Sequence, residues 1–483
     1  MLKNDKYEVV IGLEIHAQLN TTSKAFCADK VAFGEAANTL VSPISLGHPG
    51  TLPVHNKEAV NMAIMLGLAC GCDIREYNTY DRKNYFYADL PKGYQITQMD
   101  TPICNNGKVE ITLSDGTTKD IHLTRIHMEE DTGKGLHDLD IENTLMDYNR
   151  AGTPLVEIVT EPDFRSGEEA YVFLSEVRKL VRYLGVCDGN MEEGSLRCDA
   201  NVSIRPLGRK EFGVKVEVKN MNSMSNVKKA IEHEFERQCK MADNGEEIFS
   251  ETRSFDAMNG TTFSMRSKED ANDYRFFPEP DLPPLVVSEE WIADVRSRMP
   301  ALPKELFAKF TGELKLNDYD ASILTESKEV ADFFLAVCEH TDNYKAAANW
   351  VMGAVKSWVN SHATHIEKFP LSAATIAEII ASIDGGSINF SVAEQKVFPL
   401  LLDNPSHKVS DIIAENNLAL MDDDDALQTW IDEVLAEFPD KVEAYKSGNK
   451  NLIGLFIGQV KRKSGGKADP KKTSQLLAKA LSR

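Results

Sequence analysis

A short segment near the start of the chain carries the residues best suited to chemistry. Between residues 9 and 19 every odd position is apolar, which predicts a β-strand with one buried face. Glu14 and His16 then lie together on the other face, about 7 Å apart along the strand. At that spacing a carboxylate and an imidazole can ligate one divalent ion or two neighbouring ions. A solvated outer face is the alternative interpretation of this strand taken alone.

Three further segments show the same alternation. Residues 124–131, 197–205 and 214–219 each predict a strand with one apolar face. The opposite faces carry Arg125, His127 and Glu129, then Arg197, Asp199, Asn201, Ser203 and Arg205, then Lys215, Glu217 and Lys219. Glu130 joins them only if its strand is bulged. Placed side by side, the four strands predict a sheet with one face of carboxylates and cations.

These residue types favour metal and phosphate chemistry. A set of candidate ligands with many carboxylates and few thiols suits Mg²⁺, Mn²⁺ or Ca²⁺ better than zinc. The Arg and Lys side chains between these carboxylates suit phosphate oxygens. ATP-dependent phosphoryl transfer needs both, because its catalysis is mostly positioning and charge neutralisation. The sequence has no GxxxxGK[ST] motif, so the predicted site is not a P-loop. It also lacks a GxSxG motif and a Gly/Ser-rich amidase loop, which argues against amide hydrolysis by this chain itself.

Two segments mix aromatic and basic residues. Residues 81–95 place Arg82, Lys83 and Lys92 among four aromatic side chains, an arrangement that can stack on bases and hold a phosphate backbone. The alternative is a loop whose aromatic side chains pack on their own domain. In the second segment, Arg275 either approaches the pocket or anchors the connector that follows.

The net charge of −21 hides a strongly basic end of the chain. Residues 461–483 contain eight Lys or Arg residues and one Asp, a net of +7, so the rest of the chain carries −28. An acidic total argues against binding of nucleic acid over the whole surface, but it allows binding through a basic appendage. A plain solvated helix is the alternative for this segment.

The sequence does not predict a membrane protein. No apolar run approaches the roughly 18 residues of a membrane span, and the first residues are unlike a signal peptide. The eight cysteines are scattered, as is typical of reduced thiols. We therefore expect a cytoplasmic protein.

The order of elements predicts an α+β fold. Residues 7–285 show mostly short alternating strands with two helices, one beginning at a capping box formed by Ser166 and Glu169 and one beginning near Ser225. A stiff, proline-rich connector follows at residues 279–284. We predict a first domain with a mostly antiparallel sheet and two helical domains after it, with the bounds 1–287, 288–407 and 408–483.

Several motifs together resemble one family. They are VIGLEIHAQL at 10–19, LGHPGTLP at 46–53, residues 81–95, DYNRAGTP at 147–154, MEEGSLRCD at 191–199, EVKN at 217–220, residues 273–285 and GLFIGQV at 454–460. In this order they resemble the B subunit of the aspartyl/glutamyl-tRNA(Asn/Gln) amidotransferases over essentially the whole chain. The length leaves no room for the large insertion of the archaeal relative, so the resemblance is to the bacterial or organellar type.

The resemblance implies a fold, a reaction and partners. It implies a glutamine-synthetase-like cradle domain that uses ATP and Mg²⁺, a helical domain, and a small tail domain that binds tRNA. ATP would phosphorylate the side-chain carboxyl of misacylated Glu-tRNA(Gln) or Asp-tRNA(Asn), and ammonia would displace the phosphate. The implied enzyme is a glutamine-hydrolysing carbon–nitrogen ligase, a heterotrimer with an amidase-type glutaminase as its A subunit and a small C subunit.

The resemblance also assigns residues to the site. The implied catalytic residues are Glu14, His16 and Glu193. The implied metal ligands are Glu14, His16, Glu129, Glu130 and Glu193. The implied nucleotide contacts are Arg125, Lys219 and Asn220. The implied tRNA contacts are Lys461, Arg462, Lys463, Lys467, Lys471 and Lys472. Many relatives carry four zinc-type cysteines where this chain has Cys27, Asp29, Ser42 and Ser45, so we expect no structural zinc.

Two functions of other classes fit parts of the sequence. A tRNA-docking scaffold would leave all chemistry to a partner, but a scaffold has no reason to gather carboxylates facing a polyanion. A free-standing ligase for a small metabolite has no need of the basic tail or of the aromatic and basic segment. The choice between Glu-tRNA(Gln) and Asp-tRNA(Asn) stays open at this point.

Overall fold

The computed structural model describes residues 4–136, 140, 142–266, 274–420, 424–465 and 467–482. Its contacts divide the chain into two units, Met1–Leu302 and Pro303–Arg483. The first unit extends beyond residue 287 because the next helix packs on it, with the indole Nε1 of Trp291 donating to Asn61 Oδ1 at 2.7 Å. The division into three domains stays a prediction.

Strands form the framework of the first unit. They are β1 (Tyr7–Gln18), β2 (Asp73–Ile74), β3 (Tyr77–Asn78), β4 (Asp81–Asn84), β5 (Tyr94–Thr97), β6 (Cys104–Asn105), β7 (Lys108–Thr112), β8 (Thr118–Glu130), β9 (Lys134–Leu136), β10 (Leu145–Asp147), β11 (Pro154–Thr160), β12 (Leu196–Pro206), β13 (Val216–Met221), β14 (Thr252–Asp256), β15 (Thr261–Arg266), β16 (Arg275–Pro278) and β17 (Leu285–Val286). One 13-stranded sheet has the order β15-β14-β13-β12-β1-β11-β8-β5-β4-β16 along its main path. The pairing of β13 with β14 is parallel, and the other pairings along this path are antiparallel. The predicted α+β class with a mostly antiparallel sheet is confirmed.

The first strand lies in the middle of this sheet. It pairs with β12 on one side and β11 on the other, both antiparallel. Ile11, Leu13 and Ile15 are fully buried on one face, whereas Glu14 and His16 are half-buried on the other. The predicted two-faced strand is confirmed, and the side chains of its polar face are half-buried.

In the part of the first unit that the structure describes, the helices are α1 (Lys57–Ala69), α2 (Gly167–Tyr183), α3 (Met224–Asp243) and α4 (Glu289–Ser297). Their buried side chains join the apolar face of the sheet in one core, which fixes that face and leaves the polar face free for a site. Ser166 caps α2 as predicted, accepting from the Glu169 backbone N–H at 3.1 Å. The Glu169 carboxylate, however, accepts from the backbone N–H of Arg165 rather than from that of Ser166.

The second unit is helical. Its α-helices are α5 (Pro303–Gly312), α6 (Asp318–Leu324), α7 (Lys328–Cys338), α8 (Tyr344–Trp350), α9 (Lys356–Ser361), α10 (Ala373–Asp384), α11 (Phe390–Val392), α12 (Phe398–Asp403), α13 (Val409–Glu415), α14 (Asp424–Glu437), α15 (Pro439–Lys446), α16 (Ile453–Lys463) and α17 (Pro470–Leu481). Two π-helical turns, Val351–Val355 and Ala393–Val397, join α8 to α9 and α11 to α12. Within this unit, α14, α16 and α17 share a separate core that includes Ile431, Phe456 and Leu477. Among the described residues, no helix is both long and apolar enough to cross a membrane.

Candidate functional site

Three neighbouring strands bring His16, Glu129 and Glu157 together on the polar face of the sheet. In the register, His16 of β1 lies opposite Glu157 of β11, which lies opposite His127 of β8. His16 Nε2 is 3.5 Å from Glu129 Oε1 and 3.4 Å from Glu157 Oε2, and one ligand atom from each of the three residues lies within 4.8 Å of the others. We call this group the first cluster. An imidazole and two carboxylates are a ligand set suited to a divalent ion.

The protonation of the first cluster follows from its enclosure. Burial alone would lower the pKa of His16, but the hydrogen bond to Glu157 and the charges of Glu157 and Glu129 outweigh it and raise the pKa to about 9. Burial raises the pKa of Glu129. The pKa of Glu157 is well below its ordinary value despite burial, because His127 and His16 both bond to its carboxylate. At neutral pH the cluster therefore holds an imidazolium, which must lose its proton before it can ligate a metal ion.

Glu14, Asp199 and Glu217 form a second cluster on β1, β12 and β13. Glu14 lies opposite Asp199 in the register, and one oxygen from each of the three carboxylates lies within 4.8 Å of the others. The Lys219 ammonium donates to Asp199 Oδ2 at 2.7 Å and lies 2.9 Å from Glu217 Oε1. Asn201 Nδ2 donates to Glu14 Oε1 at 2.9 Å. Three carboxylates, two of them already bridged by a cation, are chemically suited to a hard divalent ion.

Several buried polar atoms beside the two clusters make no hydrogen bond to another described residue. Among the residues that the structure describes, no partner is present for Arg125 Nε, His127 Nδ1, Arg197 Nε or Asn201 Oδ1. An unsatisfied buried polar group is costly, and the exceptions in native proteins require an explanation such as a ligand. Three of these atoms belong to basic side chains, which suits an anionic ligand such as phosphate.

Some of the predicted site residues meet in these clusters. Glu14, His16 and Glu129 are ligand candidates, and Lys219 lies within the second cluster. Arg125 faces the same side, since it lies opposite Val159, which in turn lies opposite Glu14. Their roles stay predictions.

The structure places three other predicted residues elsewhere. The pairing of β8 with β11 is regular at Glu130, so this residue points to the opposite face from Glu129, where it accepts from the Lys92 ammonium and from the Ile96 N–H. Glu193 lies exposed in a turn before β12. Asn220 has a φ of 62° and its side chain donates to Ser254 Oγ. Neither cluster includes these three residues.

Sequence reasoning missed Glu157. The predicted sheet placed four strands side by side, whereas β11 lies between β1 and β8 and contributes this carboxylate. A signal was present, because Glu157 is the single charged residue of a mostly apolar strand, PLVEIVT. Asp199 and Glu217 lay on predicted polar faces, but their convergence with Glu14 depends on the sheet order.

Comparisons with known proteins identify the family. A family model described as the GatB/GatE catalytic domain matches residues 9–293, and one described as the GatB domain matches residues 332–481. The chain belongs to the GatB family. Proteins named as the B subunit of aspartyl/glutamyl-tRNA(Asn/Gln) amidotransferase are 49% identical in Syntrophotalea carbinolica and 47% identical in Thermodesulfovibrio yellowstonii, each over 99% of both chains. A relative of the same name in Gloeothece citriformis is 47% identical over 99% of this chain and 98% of its own.

Part of the aromatic and basic segment, residues 81–95, packs on its own domain, and part of it is exposed as a nucleic-acid contact would require. The Arg82 guanidinium stacks 4.3 Å from the ring centre of Tyr94 and donates two hydrogen bonds to Glu279 at 2.8 Å. Phe86, by contrast, is 97% exposed. Strand β16, which begins with Arg275, pairs with β4 and anchors the start of the connector. The two ends of the segment are thus structural, and Phe86 between them presents an aromatic ring to solvent.

The segment with Cys27, Asp29, Ser42 and Ser45, for which we expect no structural zinc, is held by hydrogen bonds. Ser45 Oγ donates to Asp29 Oδ2 at 2.6 Å and accepts from the Ser42 N–H at 3.0 Å. Burial raises the pKa of the Cys27 thiol to about 11, so the thiol is protonated at neutral pH. One neutral thiol with two hydroxyls and a carboxylate is a poor ligand set for zinc.

The basic tail, residues 461–483, comprises the last residues of α16 and the whole of α17. Arg462 and Lys471 are exposed. The exposed Lys463 lies 2.9 Å from Glu433 and 2.6 Å from Glu437, so its charge is already balanced. Lys461, Lys467 and Lys472 are half-buried. The predicted tRNA contacts therefore differ in the charge they can offer to a phosphate.

Proposed function

We propose that this GatB-family chain activates a tRNA-borne carboxylate with ATP. The substrate is the side-chain carboxyl of misacylated Glu-tRNA(Gln), Asp-tRNA(Asn) or both, and the product is Gln-tRNA(Gln) or Asn-tRNA(Asn). The names of the relatives support a role in tRNA-dependent amidation. The observation that carries the ATP step is the single sheet face on which two carboxylate clusters lie among basic side chains.

The ligand sets of the two clusters fit Mg²⁺. His16, Glu129 and Glu157 would hold one ion, and Glu14, Asp199 and Glu217 would hold another. When bound, the ions would neutralise the phosphate oxygens of ATP and polarise the transferred phosphoryl group. Arg125, Arg197 and Lys219 would orient the phosphates by charge-assisted hydrogen bonds.

The reaction has two steps. A carboxylate oxygen of the aminoacyl side chain attacks the γ-phosphorus, the bond to the β-phosphate oxygen breaks, and ADP leaves. The nitrogen of ammonia then attacks the activated carbonyl carbon, the bond to the phosphate oxygen breaks, and phosphate leaves as nitrogen loses a proton. Water must be excluded from the occupied sheet face during these steps, because it would otherwise hydrolyse the acyl phosphate.

Partners supply what this chain lacks. We assign ammonia production to an amidase-type glutaminase, the A subunit, because the chain has no amidase motif. We assign assembly to a small C subunit in a heterotrimer. The whole is a glutamine-hydrolysing ligase of the cytoplasm that uses ATP and Mg²⁺ and no structural zinc. The polar sheet face is proposed to be a glutamine-synthetase-like cradle, followed by a helical domain and a tRNA-binding tail.

Reconstitution with the amidase partner and misacylated tRNA tests this function. Glu14→Ala and His16→Ala should abolish ATP-dependent amidation while glutamine hydrolysis continues, because each removes a ligand of one cluster. His122→Ala is the control, since this histidine is exposed on the same sheet and pairs with Asp163 outside the clusters. Intact amidation in both cluster variants would leave a docking scaffold as the better explanation, and amidation of a free small carboxylate would favour the free-standing ligase.

The tail offers a separate prediction about tRNA. In the full complex, replacing both Arg462 and Lys471 with Gln should weaken tRNA binding and lower the slope of log affinity against log salt by about 2, since each lost phosphate contact lowers it by about 1. Lys463→Gln should change the slope less, because Glu433 and Glu437 already balance this lysine.

These point substitutions are preferable to deletion of residues 461–483. Deletion would remove Leu477 and Leu481, which are buried in the core of α14, α16 and α17. Binding measured by filter retention or anisotropy at several salt concentrations gives the slopes. An unchanged slope in the double variant would exclude Arg462 and Lys471 from the tRNA contacts.

A further inference from the structure

Lys219 occupies an unusual place within the second cluster. Its ammonium donates to Asp199 Oδ2 at 2.7 Å and approaches Glu217 Oε1 at 2.9 Å, so it bridges two of the three carboxylates. The third, Glu14, accepts from Asn201. Three carboxylates this close repel one another, and the lysine offsets that repulsion. Its side chain is 37% exposed, which leaves it a path out of the cluster.

The two clusters differ in the cation that balances them. In the first cluster, the cation is the imidazolium of His16, which can lose its proton and then itself ligate a metal ion. An ammonium has no lone pair, so Lys219 cannot become a ligand. Oxygen ligands lie roughly 2.0 to 2.6 Å from Mg²⁺ or Ca²⁺. An ion at such distances from Asp199 and Glu217 would compete with the ammonium for the same oxygens.

The surroundings indicate where the displaced ammonium would go. Arg197, two residues from Asp199 on the same strand face, has an Nε without a partner among the described residues. Arg125, on the same side of the sheet, has another. Basic side chains with unused donors on one face of the sheet favour the phosphates of a nucleotide. A lysine released from its carboxylates would join them.

Resting on the proposed function, we infer that Lys219 is an exchangeable counter-ion that couples metal binding to nucleotide binding at the second cluster. It neutralises Asp199 and Glu217 until a divalent ion displaces it, and its ammonium then binds nucleotide phosphate. The ion and the nucleotide therefore strengthen each other's binding, and this coupling is reciprocal.

Binding of Mn²⁺ to the full-length chain, with and without a non-hydrolysable ATP analogue, tests the exchange. The relevant site is the one that Glu14→Gln removes. At this site Lys219→Met should bind Mn²⁺ alone about tenfold more tightly than the unaltered chain, because no ammonium competes for the carboxylates. The ATP analogue should then strengthen Mn²⁺ binding less in Lys219→Met than in the unaltered chain. Lys215→Met is the matched control, since Lys215 is exposed and precedes Glu217 by two residues.

A second measurement uses the unaltered chain and so does not depend on the folding of a variant. Lysine labelling followed by mass spectrometry should show Lys219 reacting several times faster when Mn²⁺ is added and slowing again when the analogue joins Mn²⁺. The labelling of Lys215 should be unaffected by Mn²⁺. Unchanged or slower labelling of Lys219 with Mn²⁺, or unchanged Mn²⁺ affinity in a folded Lys219→Met, overturns the inference. If Glu14→Gln removes no Mn²⁺ site from the chain, it is the proposed function that fails.

Discussion

Replacement of Glu157 with glutamine should reduce the rate of ATP-dependent amidation at least about 100-fold. Loss of a residue that only hydrogen-bonds to a metal ligand already lowers metal affinity or activity by roughly 10- to 100-fold, and Glu157 is itself a ligand candidate. The Glu157 carboxylate lies 3.4 Å from His16 Nε2 and 3.3 Å from His127 Nε2, so it joins two strands of the first cluster. Glutamine has almost the same shape but no charge. The loss therefore reports on the carboxylate rather than on packing.

The measurement is the rate of ADP formation that depends on misacylated tRNA in the reconstituted complex. Glutamine hydrolysis by the glutaminase partner should stay unchanged. Glu161→Gln is the matched control, because Glu161 follows the same strand, is exposed and accepts from Thr124 at 2.7 Å. Equal activity in the two variants would contradict the placement of Glu157 in the site.

Two adjacent glutamates should have separable roles. Glu129→Gln should reduce ATP-dependent amidation at least about 100-fold, since this carboxylate belongs to the first cluster. Glu130→Gln should retain amidation within about tenfold but lower the free energy of unfolding by about 1–3 kcal/mol. The physical reason is that Glu130 balances the largely buried Lys92 and accepts from the Ile96 N–H on the opposite face.

Urea unfolding of both variants, with the amidation assay in parallel, distinguishes these roles. Each substitution changes one carboxylate to an amide at neighbouring positions, so each serves as the control for the other. A Glu130 variant that is stable but inactive, paired with an active Glu129 variant, would mean that the faces of β8 are assigned in the wrong order.

Local patterns in the sequence were sufficient to predict which side of four strands carries chemistry. Alternation along β1 correctly predicted a buried face with Ile11 and Leu13 and a polar face with Glu14 and His16. This works because side chains of a strand alternate with a period of two, whatever its neighbours are. The same rule made Glu130 conditional on a bulge, and the regular pairing of β8 shows none at this position.

Those patterns could not predict which strands are neighbours in the sheet. The first cluster exists because β11 inserts Glu157 between His16 and Glu129, and the second exists because β12 and β13 bring Asp199 and Glu217 beside Glu14. Strand order depends on long-range pairing, which no local alternation encodes. Ion pairs such as Lys463 with Glu433 and Glu437 have the same origin, since they join α16 to α14.

The sequence by itself determined the α+β class, the polar faces of the four predicted strands and, through its motifs, the GatB family. These depend on periodicity and on residue identity, both of which are local. Only the tertiary structure decided which carboxylates share a site, that Glu130 and Lys92 pair away from it, and that Lys219 bridges Asp199 and Glu217. The reason is that a ligand set is defined by distances across strands that are far apart in the chain.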